Sequence, residues 1–383
     1  MKQRLLALDI LRGITIAGMI LVNNPGTWAH IYAPLRHAEW NGLTPTDLVF
    51  PFFMFIMGIS TFISLQKYEF RFSADAARKI VKRSVLIFLI GMAIGWFSRF
   101  CYYWAADHEG LGFGEKLWES VWTFDRMRIL GVMQRLALCY CGTAIIALTV
   151  KHKRIPYIIA GLLITYTVLL LCGNGYAYNE TNINSIVDRA ILTPAHMYKD
   201  NGIDPEGLLS TLPALAHVLL GFWVGKQMLA FKHKVRVEKK EELIEKQLIF
   251  LFFIGAVLMI AGWLLSYGLP INKKIWSPTF VLTTCGMAST LLAVLIYIID
   301  LKEKKKWCRF FESFGINPLF MYVSGGVLSI IFGSIGLHRF VYNDLLQPLL
   351  GDTAGSLVYA IGFVAVNWCI GYQLYKRKIY IKL

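Results

Sequence analysis

Apolar residues along this chain form long runs separated by short polar or charged segments. The runs predict helices at approximately residues 5–22, 48–65, 85–100, 129–150, 155–172, 208–229, 248–265, 279–299, 317–337 and 354–375. A run of about 20 apolar residues crosses a hydrocarbon core about 30 Å thick. The pattern therefore predicts an all-α integral membrane protein with about ten transmembrane helices, built as one domain over residues 1–383.

The composition supports a membrane protein and argues against a nucleic-acid-binding one. Of the 383 residues, 56% are hydrophobic and 16% are charged, whereas soluble domains carry about 25% charged residues. The net charge of +15 is not gathered on one face of a soluble domain, because the basic residues lie between the apolar runs. No nucleic-acid partner is therefore predicted. The sequence also contains no nucleotide-binding glycine loop and no metal-ligand motif, so neither an energising nucleotide site nor a metal is predicted.

The lysines and arginines also predict the orientation in the membrane. Most of the 39 lie before the first run, in the C-terminal tail, or in the segments 67–83, 151–154, 226–246 and 301–309. Loops rich in Lys and Arg stay in the cytoplasm. Both termini are therefore expected in the cytoplasm, and the loop after the first helix is expected on the outer face.

That outer loop carries the most promising group for catalysis. His37 lies in it, and imidazole exchanges protons near neutral pH. Asp47 follows at the entrance to the second helix, where it either caps the helix or orients His37. Asn23 ends the first helix, where its amide either caps the backbone or polarises a substrate carbonyl. The residues alone do not choose among His37 and the other histidines predicted outside, which are His30, His108, His196 and His338.

Charged residues inside the predicted helices suggest further contacts. Asp9 and Arg12 are three residues apart, so they share a helix face and are expected to pair. Arg128 and Arg135 are seven residues apart and face the same way. Because Arg135 lies within the hydrocarbon zone, it is expected either to pair with an acid or to hold an anion such as phosphate. Glu206 begins the sixth helix, where it either complements the helix dipole or receives a cationic amine.

Several sequence blocks resemble heparan-α-glucosaminide N-acetyltransferase and its bacterial relatives. They are spread over most of the chain and are specific only as a set. The blocks are LDILRG at 8–13, VN at 22–23, HAEWNGLTPTDLVFP at 37–51, FIMG at 55–58, GVMQRL at 131–136, DPEG at 204–207, LPINK at 269–273 with Trp276, and GINPL at 315–319.

The resemblance implies a transmembrane acyltransferase bundle in a bacterial cytoplasmic (inner) membrane. Such an enzyme moves acetyl from cytoplasmic acetyl-CoA to an amine or hydroxyl of an extracytoplasmic sugar, such as a terminal glucosamine. The catalytic histidine of the family falls on His37 and its nearby asparagine on Asn23. His37 then acts either as a base or as an acetyl carrier, and the sequence leaves both routes and a homodimer open.

Other residues are assigned by their chemistry and by the blocks that contain them. Trp40 and Glu206 are assigned to the sugar, and Trp276 is also interpreted as an anchor at the membrane surface. The residues assigned to acetyl-CoA are Arg12, Arg128, Arg135, Asn272 and Trp276. Two other functions fit ten helices with buried charges: a transporter of small polar solutes, which would show solute flux, and a structural membrane protein, which would tolerate changes at Arg135 and His37.

Overall fold

The apolar runs form helices, and the loops between them contain shorter ones. The structure is a computed structural model that describes residues 5–106, 110–234 and 240–381, without the side chains of 232–234 and 240. The helices are α1 (Leu6–Asn23), α2 (Val49–Leu65), α3 (Ala74–Ala105), α4 (Phe113–Val121), α5 (Val132–Thr149), α6 (Ile155–Cys172), α7 (Ile183–Leu192), α8 (Thr211–Lys234), α9 (Lys240–Leu265), α10 (Pro278–Ile296), α11 (Cys308–Gly315), α12 (Pro318–Ser334), α13 (Leu337–Arg339), α14 (Gln347–Leu350) and α15 (Asp352–Lys376). Short 3-10 turns occur at Ala33–Leu35, Pro45–Leu48, Gln66–Tyr68, Phe124–Arg126, His152–Arg154 and Pro194–His196, and π turns at Tyr297–Leu301 and Phe340–Leu346. Within these described ranges the chain forms no β-strand.

The expected all-α membrane bundle is confirmed. Over the described residues, nine helices are long and apolar enough to span a membrane: α1, α2, α3, α5, α6, α8, α9, α10 and α15. The pair α11 and α12 passes the same test together but is bent by 85°, so the described residues have nine spans, or ten if this pair crosses as one. Which ends face the cytoplasm stays a prediction.

The bend between α11 and α12 follows from the sequence Asn317-Pro318. Proline begins α12, where its missing N–H costs no hydrogen bond. The residue before a proline avoids the helical conformation, and Asn317 has φ −122° and ψ 58°. The chain therefore changes direction at Asn317. The sequence predicted one straight span over 317–337 and did not predict the preceding helix α11.

The segments between the spanning helices contain more structure than the sequence predicted. Helix α3 runs well beyond the predicted 85–100, and α4 follows it. Helix α7 lies in the long loop 173–207 and begins at Asn182, whose side chain accepts a hydrogen bond from the backbone N–H of Asn184 at 2.9 Å. These short helices lie in the segments that connect α3 to α5 and α6 to α8.

Close packing of α2 and α8 fixes the helix that leads away from the His37 loop. A Cβ atom on Gly58 would clash with the backbone oxygen of Val218, and one on Gly221 would clash with the oxygen of Phe55. Small residues allow helix backbones to approach in membranes. Trp276 packs in the same region and is 1% exposed, with its ring 5.4 Å from that of Phe50. Its interpretation as a surface anchor is therefore wrong.

Candidate active site

The loop between α1 and α2 turns back on itself and brings His37 against Asp47. The 3-10 turn Pro45–Leu48 carries Asp47, and Thr44 precedes this turn as its N-cap residue. Asp47 Oδ2 accepts hydrogen bonds from the backbone N–H groups of Ala38 (3.0 Å) and Thr44 (3.2 Å). Asp47 Oδ1 lies 2.6 Å from His37 Nδ1. The turn fixes the carboxylate, the carboxylate fixes the ring, and the second ring nitrogen, Nε2, is left for a ligand.

A second loop supplies a cation that the sequence analysis did not place in the site. Lys273 Nζ lies 3.0 Å from His37 Nδ1 and donates a hydrogen bond to Asp47 Oδ1 at 3.1 Å. Burial lowers the pKa of the Lys273 ammonium below its ordinary value, although Asp47 opposes this effect. Asp47 is 0% exposed, so Lys273 compensates a carboxylate that water does not reach. These three side chains form the His37–Asp47–Lys273 cluster.

Asn272 and Trp40 hold the surrounding loops together. Asn272 is buried, and its Nδ2 donates a hydrogen bond to Asn41 Oδ1 at 3.2 Å, which ties the Lys273 turn to the His37 loop. Trp40 Nε1 donates to the Tyr176 backbone oxygen at 2.8 Å, and the indole stacks on Tyr178 with 4.5 Å between ring centroids. Neither side chain lines the cavity around His37, so their contacts with acetyl-CoA and sugar stay predictions.

His37 lines a cavity of about 540 Å³. Several predicted site residues line this cavity together, although they lie far apart in the sequence. Asn23 is exposed there at the end of α1. The polar and aromatic lining consists of Asn23, Trp28, His37, Glu39, Thr46, Asp47, Arg128, Tyr198, Lys199, Asp200, Glu206, Lys273, Lys274 and Tyr322. His30, His196 and His338 do not line this cavity, and His108 lies outside the described residues.

Arg128 is bound by acids at one side of the cavity. Its guanidinium donates to Asp204 and, at 2.5 Å, to Glu206 Oε2, and it lies 4.8 Å from the ring centroid of Tyr198. Burial lowers the pKa of Arg128, but Glu206 and Asp204 outweigh it and hold this pKa above its ordinary value. Arg128 is thus a fixed positive charge that orients Glu206, while its predicted contact with acetyl-CoA stays a prediction.

A second cavity of about 610 Å³ lies further along the same helices. Residues of α1, α2, α5 and α12 line both cavities. Arg12 lines the second one and donates to Asp9 Oδ1 (3.0 Å) and Ser60 Oγ (2.7 Å), so the predicted Asp9–Arg12 pair is present. Arg83 lies opposite, over the ring of Tyr140. The helix rise of 1.5 Å per residue separates Arg12 from Asn23 by roughly 16 Å along α1.

Arg135 lies inside the bundle, outside the lining of both cavities. Its guanidinium donates to the Gly207 backbone oxygen at 3.0 Å and to the Ser210 hydroxyl, and it lies 5.2 Å from the ring centroid of Trp276. A carbonyl, a hydroxyl and an aromatic face therefore hold it; among the described residues no acid pairs with it, and the bound anion expected as the alternative stays a prediction. Contacts of Arg135 and Trp276 with acetyl-CoA stay predictions.

Asp188 on α7 gives a testable pH dependence of stability. It is buried, and burial raises the pKa of its carboxyl to about 6. The folded chain therefore holds this proton more tightly than the unfolded chain, whose carboxyl has a pKa of about 3.9. Ionisation consequently destabilises the fold as the pH rises through the window from about 4 to about 6, by roughly 3 kcal/mol at most.

We expect Asp188→Asn to be more stable than the parent protein above pH 6 and equally stable below pH 4. Asparagine keeps an oxygen for the Leu208 N–H, which donates to Asp188 Oδ1 at 2.8 Å, and it cannot ionise. Tm in detergent, measured from pH 4 to pH 8 for both proteins, tests this. A variant that is less stable than the parent at pH 7.5 would contradict it.

The fold and the site define a class: a polytopic, all-helical membrane protein whose loops place a histidine–carboxylate pair at the wall of an internal cavity. The chain belongs to the family described as heparan-alpha-glucosaminide N-acetyltransferase, catalytic, which it matches over residues 4–260. This confirms the family expected from the sequence blocks.

Two animal proteins show the same relationship. The heparan-alpha-glucosaminide N-acetyltransferase of Homo sapiens is 27% identical over 441 residues, covering 100% of this chain and 60% of that protein. The protein of the same name from Mus musculus is 26% identical over 438 residues, covering 100% and 61%. The chain thus spans about three fifths of the length of these relatives.

Proposed function

We propose that this protein transfers an acetyl group from acetyl-CoA to an amine, or a hydroxyl, of a sugar in the opposite compartment. The observation that carries the proposal is the pair of cavities lined by α1, α2, α5 and α12, one holding His37 and Asp47 and the other Arg12 and Arg83. The names of the two relatives describe N-acetyl transfer to a glucosaminide. The predicted orientation puts the Arg12 cavity on the cytoplasmic side, which is the compartment that contains acetyl-CoA.

In this mechanism the pantetheine arm crosses the bundle and brings its thioester to His37. The acceptor nitrogen attacks the carbonyl carbon while His37 Nε2 removes its proton. The carbon–sulfur bond then breaks, and the proton passes to the departing thiolate of CoA. Asn23, exposed in the same cavity, donates a hydrogen bond to the carbonyl oxygen as it becomes negative. Asp47 holds the imidazole in place by accepting a hydrogen bond from Nδ1–H, and Lys273 donates to the same carboxylate oxygen.

A route through an acetylated His37 uses the same atom and is separated by kinetics. His37 Nε2 would then attack the thioester itself, and the acceptor would attack the acetyl-imidazole in a second step. Rapid mixing with acetyl-CoA alone distinguishes the routes. A burst of one CoA per protein without acceptor supports the carrier route, and its absence supports the base.

Carboxylates in the cavity around His37 favour an amino sugar over a hydroxyl acceptor. Glu39 and Glu206 line the space beside His37, whereas Asp200 in the same wall is already paired with Lys274 at 2.7 Å. Glu206 is oriented by Arg128, at 2.5 Å. A protonated amine pairs with such carboxylates and then releases one proton to water, which gives the neutral amine that attacks, whereas a neutral hydroxyl gains less from them. Trp28, Tyr198 and Tyr322 add aromatic faces for the sugar ring.

Acetyl-CoA is expected to stabilise the purified protein and to serve as donor. A ligand that binds only the folded state adds about 2.7 kcal/mol at 100 times its Kd, so Tm rises with its concentration. Labelled acetyl-CoA should then acetylate at least one member of a panel of amino sugars. No rise in Tm and no labelled product, together with flux of a small solute into proteoliposomes, would replace this proposal with a transporter.

A further inference from the structure

A basic, aromatic pocket lies at the C-terminal end of the chain, beyond residues 4–260 that the family model matches. It has a volume of about 370 Å³, and the family match ends at residue 260. Helices α11 and α15 and the tail after α15 form it together. Its lining consists of Arg309, Glu312, Ile316, Tyr372, Tyr375, Lys376, Lys378 and Tyr380.

The tail is held in place by Asn317, at the bend between α11 and α12. Asn317 Nδ2 donates to the Ile379 backbone oxygen at 2.9 Å, and Asn317 Oδ1 accepts from the Ile381 N–H at 2.9 Å. Asn317 is 2% exposed, so this clamp is buried. The clamped residues 379–381 lie beside the Arg12 cavity, because Ile381 lines that cavity and Tyr380 lines the basic pocket. Ile316 lines both, so the two spaces are neighbours.

The charges of the pocket suit a ligand with phosphate groups. Arg309, Lys376 and Lys378 face a single carboxylate, that of Glu312. Glu312 Oε2 accepts a hydrogen bond from the Tyr375 hydroxyl at 3.2 Å. Among the described residues none of the three cations has an ion-pair partner, so their charge is available to a ligand. Arginine and lysine bind phosphate oxygens strongly.

The aromatic rings of the pocket suit a planar base. Tyr372 stacks on Trp368 with 4.9 Å between centroids and on Tyr375 with 6.3 Å. This ladder ends at the cavity, beside Lys376 and Lys378. Aromatic side chains next to cations are the usual setting for a stacked base with its phosphates.

The guanidinium inside the neighbouring cavity is already engaged. Arg12 bonds Asp9, Ser60 and the Gly315 backbone oxygen. The roughly 16 Å of α1 between Arg12 and Asn23 matches an extended pantetheine arm rather than a whole donor molecule. A donor with its thioester at His37 must therefore place its nucleotide beyond Arg12, in the direction of Ile316.

We propose that the pocket of Arg309, Lys376, Lys378 and the tyrosine ladder binds the nucleotide end of the acyl donor, an adenosine carrying phosphates. The inference rests on the proposed function for its ligand. Asn317 acts as a positioning residue, because it holds the tail that carries Lys378 and Tyr380. An anionic lipid headgroup offers the same phosphate chemistry from the membrane, so the experiment separates the two sources.

The test is binding of adenosine 3′,5′-bisphosphate, which is the nucleotide end of CoA without the arm. The purified full-length protein in neutral detergent is expected to gain Tm with this compound. The combined variant Arg309→Gln, Lys376→Gln, Lys378→Gln should bind it at least about tenfold more weakly, since each charge-assisted hydrogen bond contributes to affinity. A matched variant, Lys304→Gln, Lys306→Gln, Arg377→Gln, removes equal charge outside the pocket and should bind normally.

Equal binding by both variants, or no binding by the parent protein, would overturn the inference. Two results together would assign the pocket to a lipid headgroup instead: phosphatidylglycerol added to the neutral detergent abolishes bisphosphate binding by the parent protein, and without this lipid the parent and the pocket variant bind the bisphosphate within tenfold of each other. Acetyl transfer is not needed for this measurement. Bisphosphate binding without any transfer would reject the proposed function alone, and transfer with equal binding by both variants would reject only the pocket.

Discussion

His37→Ala is expected to lower acetyl transfer by about 10²–10⁴-fold while the protein still folds and inserts. A positioned general base contributes about this factor, and a carrier histidine would contribute at least as much. The imidazole side chain is 40% exposed and lies at the cavity wall rather than in the packed bundle. Its removal therefore leaves the helix contacts intact. The measurement is labelled transfer to the best amino sugar, with Tm recorded for the same preparation.

His30→Ala provides the matched control for this prediction. His30 lies in the same loop, is similarly exposed at 52%, and is 3.7 Å from Asp352 rather than near Asp47. Transfer by His30→Ala should equal that of the parent protein. If His37→Ala is well folded and transfers acetyl normally, His37 has no catalytic role.

Asp47→Asn is expected to lose both transfer and stability, because the carboxylate serves the loop and the imidazole at once. Its two oxygens meet His37, Lys273 and two backbone N–H groups while it is 0% exposed. An amide nitrogen accepts none of these hydrogen bonds and leaves the Lys273 charge buried without its partner. Breaking such a buried pair costs about 3–5 kcal/mol. Transfer should fall by about 10²–10⁴-fold, since the imidazole loses its orientation, and Tm should fall as well.

Adding Lys273→Met to Asp47→Asn separates the two effects. Removing the unpaired ammonium should restore part of the lost Tm, because the double variant no longer buries a lone charge. It should not restore transfer, because His37 still lacks the carboxylate. A double variant with recovered transfer would show that Asp47 acts on activity only through the stability of the loop.

The spanning helices were predictable because hydrocarbon length sets a strong and simple requirement. The bend at Asn317 was less visible: Pro318 predicted a helix start, but the direction of α11 depends on how it packs against α1. Helices α4 and α7 were missed because a short helix in a polar loop does not have to match the thickness of the hydrocarbon core and leaves no long apolar run in the sequence. Trp276 shows the limit of residue-type reasoning, since tryptophan is common at membrane surfaces and this one is buried beside Phe50 and Arg135.

The part of the site formed by residues close together in the sequence was predictable. His37 and Asp47 are ten residues apart, and the turn between them brings them to 2.6 Å. Lys273 joins them from a loop 226 residues beyond Asp47, so only the block LPINK, quoted for the family resemblance, marked it. Arg135 was expected to meet an acid or an anion. No acid pairs with it among the described residues, and it lies against Trp276 because two distant loops pack there, which no local sequence pattern records.

The most direct test of the account uses sealed proteoliposomes of known protein orientation. Labelled acetyl-CoA is supplied on the side of the Arg12 cavity, and a membrane-impermeant amino sugar is supplied on one side at a time. We expect the parent protein to form labelled product only when the sugar is on the opposite side, and His37→Ala to form about 10²–10⁴-fold less. Product formed only when donor and sugar share a compartment would contradict transfer through the bundle.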